Sequence, residues 1–313
     1  MAITLQELQM YKNFDELASD VLDLAKEILP DQLIYLTSFS DTQQIILKLS
    51  NYDTRILLAE GMMINLGDTV CDRIDFENKQ PLVYEDITEQ TCPSELRNTL
   101  ESVNAKSYLG IPISFIDGER FGTLCAVHHE QSRFDEKSIT MLQRIVRMFS
   151  YYLVLERVAY RDSLTELYNR HYLSRFFEEH SESGGAVFFL DLDGFKKVND
   201  IYGHDAGDLV LKEVASKLEK FTDDYDDAFA VRLGGDEFIV HFPHILSKEE
   251  MSERAEHVLG SLSTWDNNYQ LSTSVGIASY PSGSNNDLNT VLKNADEALY
   301  RAKKAGKNTY KFF

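Results

Sequence analysis

The chain is 313 residues long, 43% hydrophobic and 26% charged, with 6 Pro and 16 Gly. That composition excludes collagen-like and disordered classes and makes two domains the default. The formal charge of −20 excludes sequence-independent binding to a nucleic acid polymer, which relies on Lys and Arg displacing counterions from phosphates, so any phosphate site must be a local cationic cluster.

No stretch approaches the roughly 20 apolar residues of a membrane helix. The start, MAITLQELQMYKNFDEL, lacks a basic region followed by an apolar core, so a cytoplasmic protein with no membrane attachment is expected. The three cysteines, Cys71, Cys92 and Cys125, are too few and too scattered for a disulfide framework or a CxxC metal site. They read as reduced thiols used for packing.

From Phe14 to Leu29 apolar residues recur at helical spacing (Phe14, Leu17, Val21, Leu22, Leu24, Ile28), and Pro30 ends the run. LIYLTSFS and QQIILKLS flank Asp41 and Thr42 and predict a hairpin. A second hairpin joins SYLGIPISF to RFGTLCAVHH through Asp117 and Gly118, a pair suited to the left-handed angles of a tight turn. The first half is therefore α+β with an antiparallel sheet.

Between Asp135 and Arg161 there is no Pro or Gly, and Leu142, Ile145, Phe149, Tyr152 and Leu155 alternate at intervals of three and four. The spacing predicts a long helix with a narrow apolar seam. It either lies on its own sheet or, past Phe149, leaves the domain and pairs with a second copy.

The second half opens on DSLTELYNR, where Asp162 or Ser163 is expected to cap a helix beginning near Leu164. The expected elements that follow are a helix (Arg170 to His180), the strand AVFFLDL, a helix (Asp205 to Phe221) and a hairpin across Gly234 and Gly235. A helix (Lys248 to Leu262), the strand QLSTSVGIASY and a last helix (Asp287 to Ala305) complete the order. This order predicts a ferredoxin-like βαββαβ sheet with helices on one face.

Two carboxylate pairs stand out. Asp191 and Asp193 close a continuous apolar strand, a place where Asp commonly serves a turn. Asp236 and Glu237 follow the Gly-Gly turn at once, concentrating negative charge where a tight turn needs none. If the strand ending at Asp191 lies beside the hairpin, Asp191 and Asp236 converge. Such hard oxygen ligands, with substrate phosphate, are what Mg²⁺ prefers, which suggests nucleotidyl transfer.

In DSLTELYNR, DLDGFKKVNDIYGHDAGD, RLGGDEF and DEALYRAKKAGKN, in that order, residues 160 to 313 resemble the GGDEF family of diguanylate cyclases. The resemblance implies that two GTP are condensed into cyclic di-GMP in a palm-type, nucleotidyl-cyclase-like domain. It implies that Asp191, the main-chain carbonyl of Leu192 and Asp236 hold Mg²⁺ or Mn²⁺, with Asp236 deprotonating the attacking 3′-hydroxyl and Glu237 in or just behind the metal shell.

Asn199 and Asp208 would read guanine, since an Asp can accept from both N1–H and the 2-amino group. His204 would sit near base or ribose, or else serve as a helix cap or packing residue. Lys196, Lys303 and Lys307 would meet the triphosphate, the last two on one face if the final helix persists that far; otherwise they are ordinary solvated lysines. Arg232, which opens the signature, is counted among the GTP contacts, and Phe195 and Phe238 are expected to pack beneath the site.

Joining two identical nucleotides with one site per chain requires two chains facing across a two-fold axis, so a homodimer is expected. Where many such enzymes carry an RxxD feedback motif this chain has Tyr225-Asp226-Asp227-Ala228, and no product inhibition through that site is expected. Glu166 stands where the family usually has Gly, and Gly194 replaces a larger residue.

EGMMINLGDTVCDRI and SYLGIPISFIDGERFGTLCAV resemble a GAF domain, a fold that holds an unknown small molecule or none. The expected division is 1–148 sensory domain, 149–161 connecting helix and 162–313 cyclase domain. The alternatives are a non-catalytic receptor for GTP or cyclic di-GMP, and a cyclase with relaxed purine choice.

Overall fold

The structure is a computed structural model that describes residues 8, 11, 14–40, 42–50, 55–89, 92–115, 118–225, 227–244, 246–263, 265, 269, 271–283 and 286–313. Asp41, Asp117 and Asp226, on which two turns and the feedback position were read, lie outside the described residues. The chain separates into two compact units, 1–157 and 158–313.

In the first unit, α1 (Phe14–Ile28) carries Asp15 and Glu16 in its first turn and Lys26 in its last, each favourable to the helix dipole. Its buried stripe is Phe14, Ala18, Val21, Leu22 and Ala25, whereas Leu24, expected inside, is exposed. Two alanines occupy the close-packed positions because the helix lies tight on the sheet.

That sheet comprises β1 (Leu33–Phe39), β2 (Gln43–Leu49), β3 (Met63–Asn65), β4 (Leu82–Tyr84), β5 (Ser107–Ser114) and β6 (Arg120–His128). Its order is β3-β2-β1-β6-β5-β4, and every described pairing is antiparallel. A short helix, α2 (Ser94–Ser102), precedes β5. One core packs Leu33, Tyr35, Ile46, Tyr108, Cys125 and Val127 of the sheet against Val70, Cys71, Ile74 and Leu100.

The long helix α3 (Glu136–Tyr160) buries Leu142, Val146, Phe149 and Leu153. The Phe149 ring meets Phe14 and Phe121. Of the expected seam, Leu142, Ile145 and Phe149 are buried and Tyr152 is half-buried, whereas Leu155 is 69% exposed; Met148 and Tyr151, outside that seam, are exposed as well.

The second unit begins differently from expectation. No helix starts near Leu164: Asp162 Oδ1 accepts from Thr165 N and Oγ1, closing a turn, and Glu166 has φ +61°, a left-handed angle that a helix cannot continue through. The strand β7 (Tyr168–Asn169) follows, and Asn169 caps α4 (Arg170–His180) by accepting from His171 N and Tyr172 N.

Then come β8 (Gly185–Asp193), α5 (Phe195–Tyr202), α6 (His204–Thr222), β9 (Phe229–Gly234), β10 (Glu237–Phe242), α7 (Lys248–Ser261), β11 (Ser272–Tyr280), α8 (Leu288–Lys304) and β12 (Tyr310–Phe312). The sheet order is β12-β11-β8-β10-β9-β7. The inner four strands have the ferredoxin-like arrangement, and β7 and β12 add parallel edges.

Helices cover both faces of this sheet, not one. Phe188, Leu190, Leu192, Phe238 and Val240 pack with α5, α6 and α7 on one side. On the other, a Cβ at Gly276 of β11 would stand 2.0 Å from the Ala295 carbonyl of α8, and Phe176 of α4 meets Phe229 and His241. The two extra helices explain why the strand-end run AVFFL is apolar on both faces.

Candidate functional site

The carboxylates meet where β8 ends and the β9–β10 hairpin turns. Antiparallel register sets Glu237 opposite Asp191, while on the other side of β8 Ser274 faces Asp191 and Ser272 faces Asp193. The turn residues are Gly235 and Asp236, so Asp236 lies in the turn itself and only Glu237 begins the outgoing strand. Gly234 (φ +147°) and Gly235 (φ +55°) have angles that only glycine takes readily, which is why the turn needs both.

Burial and the neighbouring Asp191 raise the Asp236 carboxyl above the ordinary carboxylate range. Burial, Asp191, Asp236 and Asp296 raise Glu237 likewise. Lys303 offsets both, and its Nζ lies 2.6 Å from Asp191 Oδ2. Three acids therefore share one electrostatic environment whose negative charge is only partly neutralised.

Among the described residues no three His, Cys, Asp or Glu side chains are grouped so as to hold a metal ion by themselves. Leu192 buries its side chain in the core, so that side chain offers no ligand.

The helix α8 stops at Lys304 rather than reaching Lys307. Gly306 turns the chain at φ +117°, and Lys307 N donates to Ala302 O, a helix C-terminal motif. Lys303 and Lys307 nevertheless reach neighbouring acids, since Lys307 Nζ lies 4.0 Å from Asp193 Oδ1.

Asp193 is the residue that the sequence reading left without a role. Its Oδ2 accepts from Ser274 Oγ, Ser272 Oγ and Asn308 N, tying the loop after α8 to the end of β8. The signal was the DxD spacing, which puts Asp193 on the same strand face as Asp191.

A second cluster lies at the α5–α6 corner. Asn199 Oδ1 is buried with no hydrogen-bond partner among the described residues, and a Cβ at Gly207 would stand 1.9 Å from it. Asp208 follows Gly207 on α6, and His204 opens that helix; both are exposed. Lys196 is exposed in the first turn of α5, after Gly194 has turned the chain at φ +94°. Phe195 and Phe238 are buried, as expected.

Arg232 is engaged within the protein. Its Nη1 donates to Asp162 Oδ1 at 2.8 Å, and its Nε and Nη2 donate to the Gly235 carbonyl at 3.1 and 3.0 Å. This fork clamps the hairpin turn to the loop before β7. The Asp162 carboxyl is held down by hydrogen bonds from Thr165 and Arg232 against the opposing pull of its burial.

A palm-type sheet with acids at the end of its central strand, beside a hairpin turn, defines the class of the nucleotidyl-cyclase-like domains. Within that class the C-terminal half of the chain belongs to the GGDEF family: residues 159–309 match the family described as diguanylate cyclase, GGDEF domain, and residues 12–150 match the GAF domain.

Diguanylate cyclase DgcP of Escherichia coli is 25% identical over 335 residues, covering 97% of this chain and 94% of its own. Cyclic di-GMP phosphodiesterase NbdA of Pseudomonas aeruginosa is 37% identical over 172 residues, covering 51% of this chain. The chain spans only 21% of NbdA's length. The solved coiled coil and GGDEF domain of DgcB from Caulobacter crescentus, in complex with c-di-GMP, is 26% identical with a TM-score of 0.50, covering 56% of this chain and 97% of that one.

Proposed function

We propose that the chain is a magnesium-dependent diguanylate cyclase that condenses two GTP into cyclic di-GMP and releases two pyrophosphates, under control of its GAF half. The observation that carries this reading is the shared environment of Asp191, Asp236 and Glu237, with two of the three acids raised and Lys303 alongside. Clustered acids repel a triphosphate unless a cation lies between, so a receptor without catalysis has no use for them.

Asp191, Asp236 and the Leu192 carbonyl are the groups that would hold the ion. When bound, Mg²⁺ (or Mn²⁺) supplies positive charge against the phosphates. Asp236 accepts the proton of the 3′-hydroxyl on a carboxylate oxygen, and its raised proton affinity suits a general base. The 3′-oxygen bonds to the α-phosphorus of the second GTP as the bond to pyrophosphate breaks. Lys303, Lys307 and Lys196 carry charge toward the triphosphate.

Asn199 and Asp208 read the guanine edge, His204 lies beside the base or ribose, and the Asn199 acceptor, unpaired among the described residues, supports that assignment. Arg232 acts by fixing the hairpin turn, since its guanidinium is already spent on Gly235 and Asp162.

One site per chain requires a homodimer, and the exposed Met148, Tyr151 and Leu155 at heptad spacing are a surface on which two copies of α3 can pair. Among the described residues no helix is long and apolar enough to cross a membrane, and the reading places the protein in the cytoplasm, where its substrate is. The sensory, connecting and cyclase segments are taken as 1–148, 149–161 and 162–313.

Purified protein incubated with GTP and Mg²⁺ should yield cyclic di-GMP by mass analysis, and Asp236→Asn should yield none. GTP bound but unconsumed by the unaltered chain would instead make it a receptor. Comparable incorporation of ATP would make it a cyclase of relaxed purine choice. Specific activity should rise with protein concentration through the association range; constant activity in a monomeric sample removes the dimer requirement.

A further inference from the structure

Two of the cysteines, 54 positions apart in the chain, meet in the core of the N-terminal unit. Cys71 Sγ and Cys125 Sγ lie 3.5 Å apart and are 2% and 0% exposed. The Tyr108 hydroxyl is 3.3 Å from Cys71 Sγ and 3.5 Å from Cys125 Sγ, and Thr123 Oγ1 lies 3.4 and 3.2 Å from the same two atoms. Two sulfurs are thus held between the same two hydroxyls.

The backbone is built to allow this. Gly110 pairs with Cys125 across β5 and β6, and a Cβ at Gly110 would stand 2.3 Å from the Tyr108 hydroxyl oxygen. Only glycine leaves room for that hydroxyl to fold back over the thiols. On the opposite strand, Tyr35 is the register partner of Cys125. A pair that merely filled space would need neither the glycine nor the shared hydroxyls.

We propose that Cys71 and Cys125 are a dithiol modification site, oxidised by a hydroperoxide to an intramolecular disulfide. The chemistry has a direction. Hydrogen bonds from Cys125, then Thr123, Tyr108 and Gln44, hold the Cys71 thiol below its ordinary value against its burial, while burial and Cys71 push Cys125 up. Of the two, Cys71 is therefore the thiol that gives up its proton more readily, and the thiolate is the nucleophile.

The Cys71 thiolate attacks one peroxide oxygen, the O–O bond breaks, and the alcohol or water leaves with the proton the thiol gave up; Cys71 becomes a sulfenic acid. The Cys125 sulfur then attacks Cys71 sulfur and expels water. In sum, two thiols and one hydroperoxide give a disulfide, an alcohol and water, and the two thiols supply the two electrons that reduce the peroxide. Closing the sulfurs from 3.5 Å to a bond of about 2.05 Å draws the turn at Cys71–Arg73 toward β6.

Cys92 is an internal control, since its thiol lies on the Pro93 carbonyl, 3.8 Å away, and not in the pair. The full chain is treated with hydrogen peroxide, quenched, alkylated under denaturing conditions and digested for mass analysis. The expected result is a peptide linking Cys71 to Cys125, alkylation at Cys92 alone, and return of all three alkylated sites after dithiothreitol. Cys92→Ser should cross-link at the unaltered rate.

Alkylation of Cys71 and Cys125 unchanged by peroxide overturns the proposal, and so does oxidation of either to a sulfinic or sulfonic acid without the link. The readout is independent of GTP turnover, so its failure leaves the cyclase reading intact.

Discussion

In the C-terminal unit the carboxylates of Asp191, Asp236 and Glu237 stand where β8 ends and the hairpin turns, partly in solvent and short of counter-charge. In the N-terminal unit the thiols of Cys71 and Cys125 and the Tyr108 hydroxyl lie inside the core and bond one another and Thr123. The first arrangement costs stability until a cation arrives; the second is satisfied as it folds and contributes to the core. These three acids wait for a ligand, and the paired thiols need none.

The strongest way to break that contrast is Asp236→Asn. Loss of the proposed base should lower cyclase activity at least ~100-fold. Stability should move the other way. A carboxyl raised in the folded state is shed of its proton first in the unfolded chain, so its penalty is absent at low pH and fully present at neutral pH. Half-exposure limits the relief to under ~1 kcal/mol, a rise in Tm of up to about 4 °C without divalent metal. A variant that melts lower would mean the acids do not repel, and Mg²⁺ should stabilise only the unaltered chain.

His241 tests the contrast from within the C-terminal unit. It is buried, with Nε2 2.7 Å from the Tyr280 hydroxyl and Nδ1 unpartnered among the described residues. Burial, then His180 and His244, push its pKa down to about 3. The unfolded chain takes up the proton near pH 6.5 and the folded one does not, so stability is complete above that pH and falls as pH drops toward 3. Between pH 7.5 and 5 this is a loss of ~2 kcal/mol. Thermal melts across that range should fall less steeply for His241→Gln, which keeps a partner for Tyr280; parallel curves would assign the acid sensitivity elsewhere.

Two glycines sharpen the comparison. A Cβ at Gly207 meets the end of the Asn199 side chain, whereas one at Gly110 meets the Tyr108 hydroxyl at 2.3 Å and Ile74 at 2.6 Å inside the core. Gly207→Ala should displace Asn199, raising KM for GTP about 10-fold, equivalent to ~1.4 kcal/mol, with little change in Tm. Gly110→Ala should lower Tm, at a cost on the order of 1 kcal/mol, and leave KM alone. If both move only Tm, Asn199 is a packing residue.

Sequence periodicity marked the apolar cores and the long elements, because AVFFL and the 14–28 stripe are local patterns. It misplaced Leu24, since which face of α1 is closest-packed depends on the sheet beneath. The acids at 191, 236 and 237 were legible as chemistry because the polar groups break apolar runs. The partners that hold the site were not: Asp162 on Arg232 spans 70 positions, and Asn308 on Asp193 spans 115. Cys71 and Cys125 looked scattered for the same reason.

Backbone strain gives the finest test. Among the described residues Glu166, Asp227, Lys307 and Asn308 of the C-terminal unit have left-handed φ without being glycine, against Lys79 and Asn104 of the N-terminal unit. At Asn308 the strained amide is bound by Asp193, beside the proposed metal site, so the strain there serves the site. At Glu166 (φ +61°) the main chain instead closes a turn: its N donates to Asp162 O, and its O accepts from Arg161 Nη1. Glycine would keep both bonds and relieve ~1 kcal/mol of strain, offset in part by the greater freedom of glycine in the unfolded chain. Glu166→Gly should therefore raise Tm by less than ~4 °C with activity unchanged, and Glu166→Asn should fall between. A lower Tm for the glycine variant would show that the Glu166 side chain contributes more than its backbone angle costs.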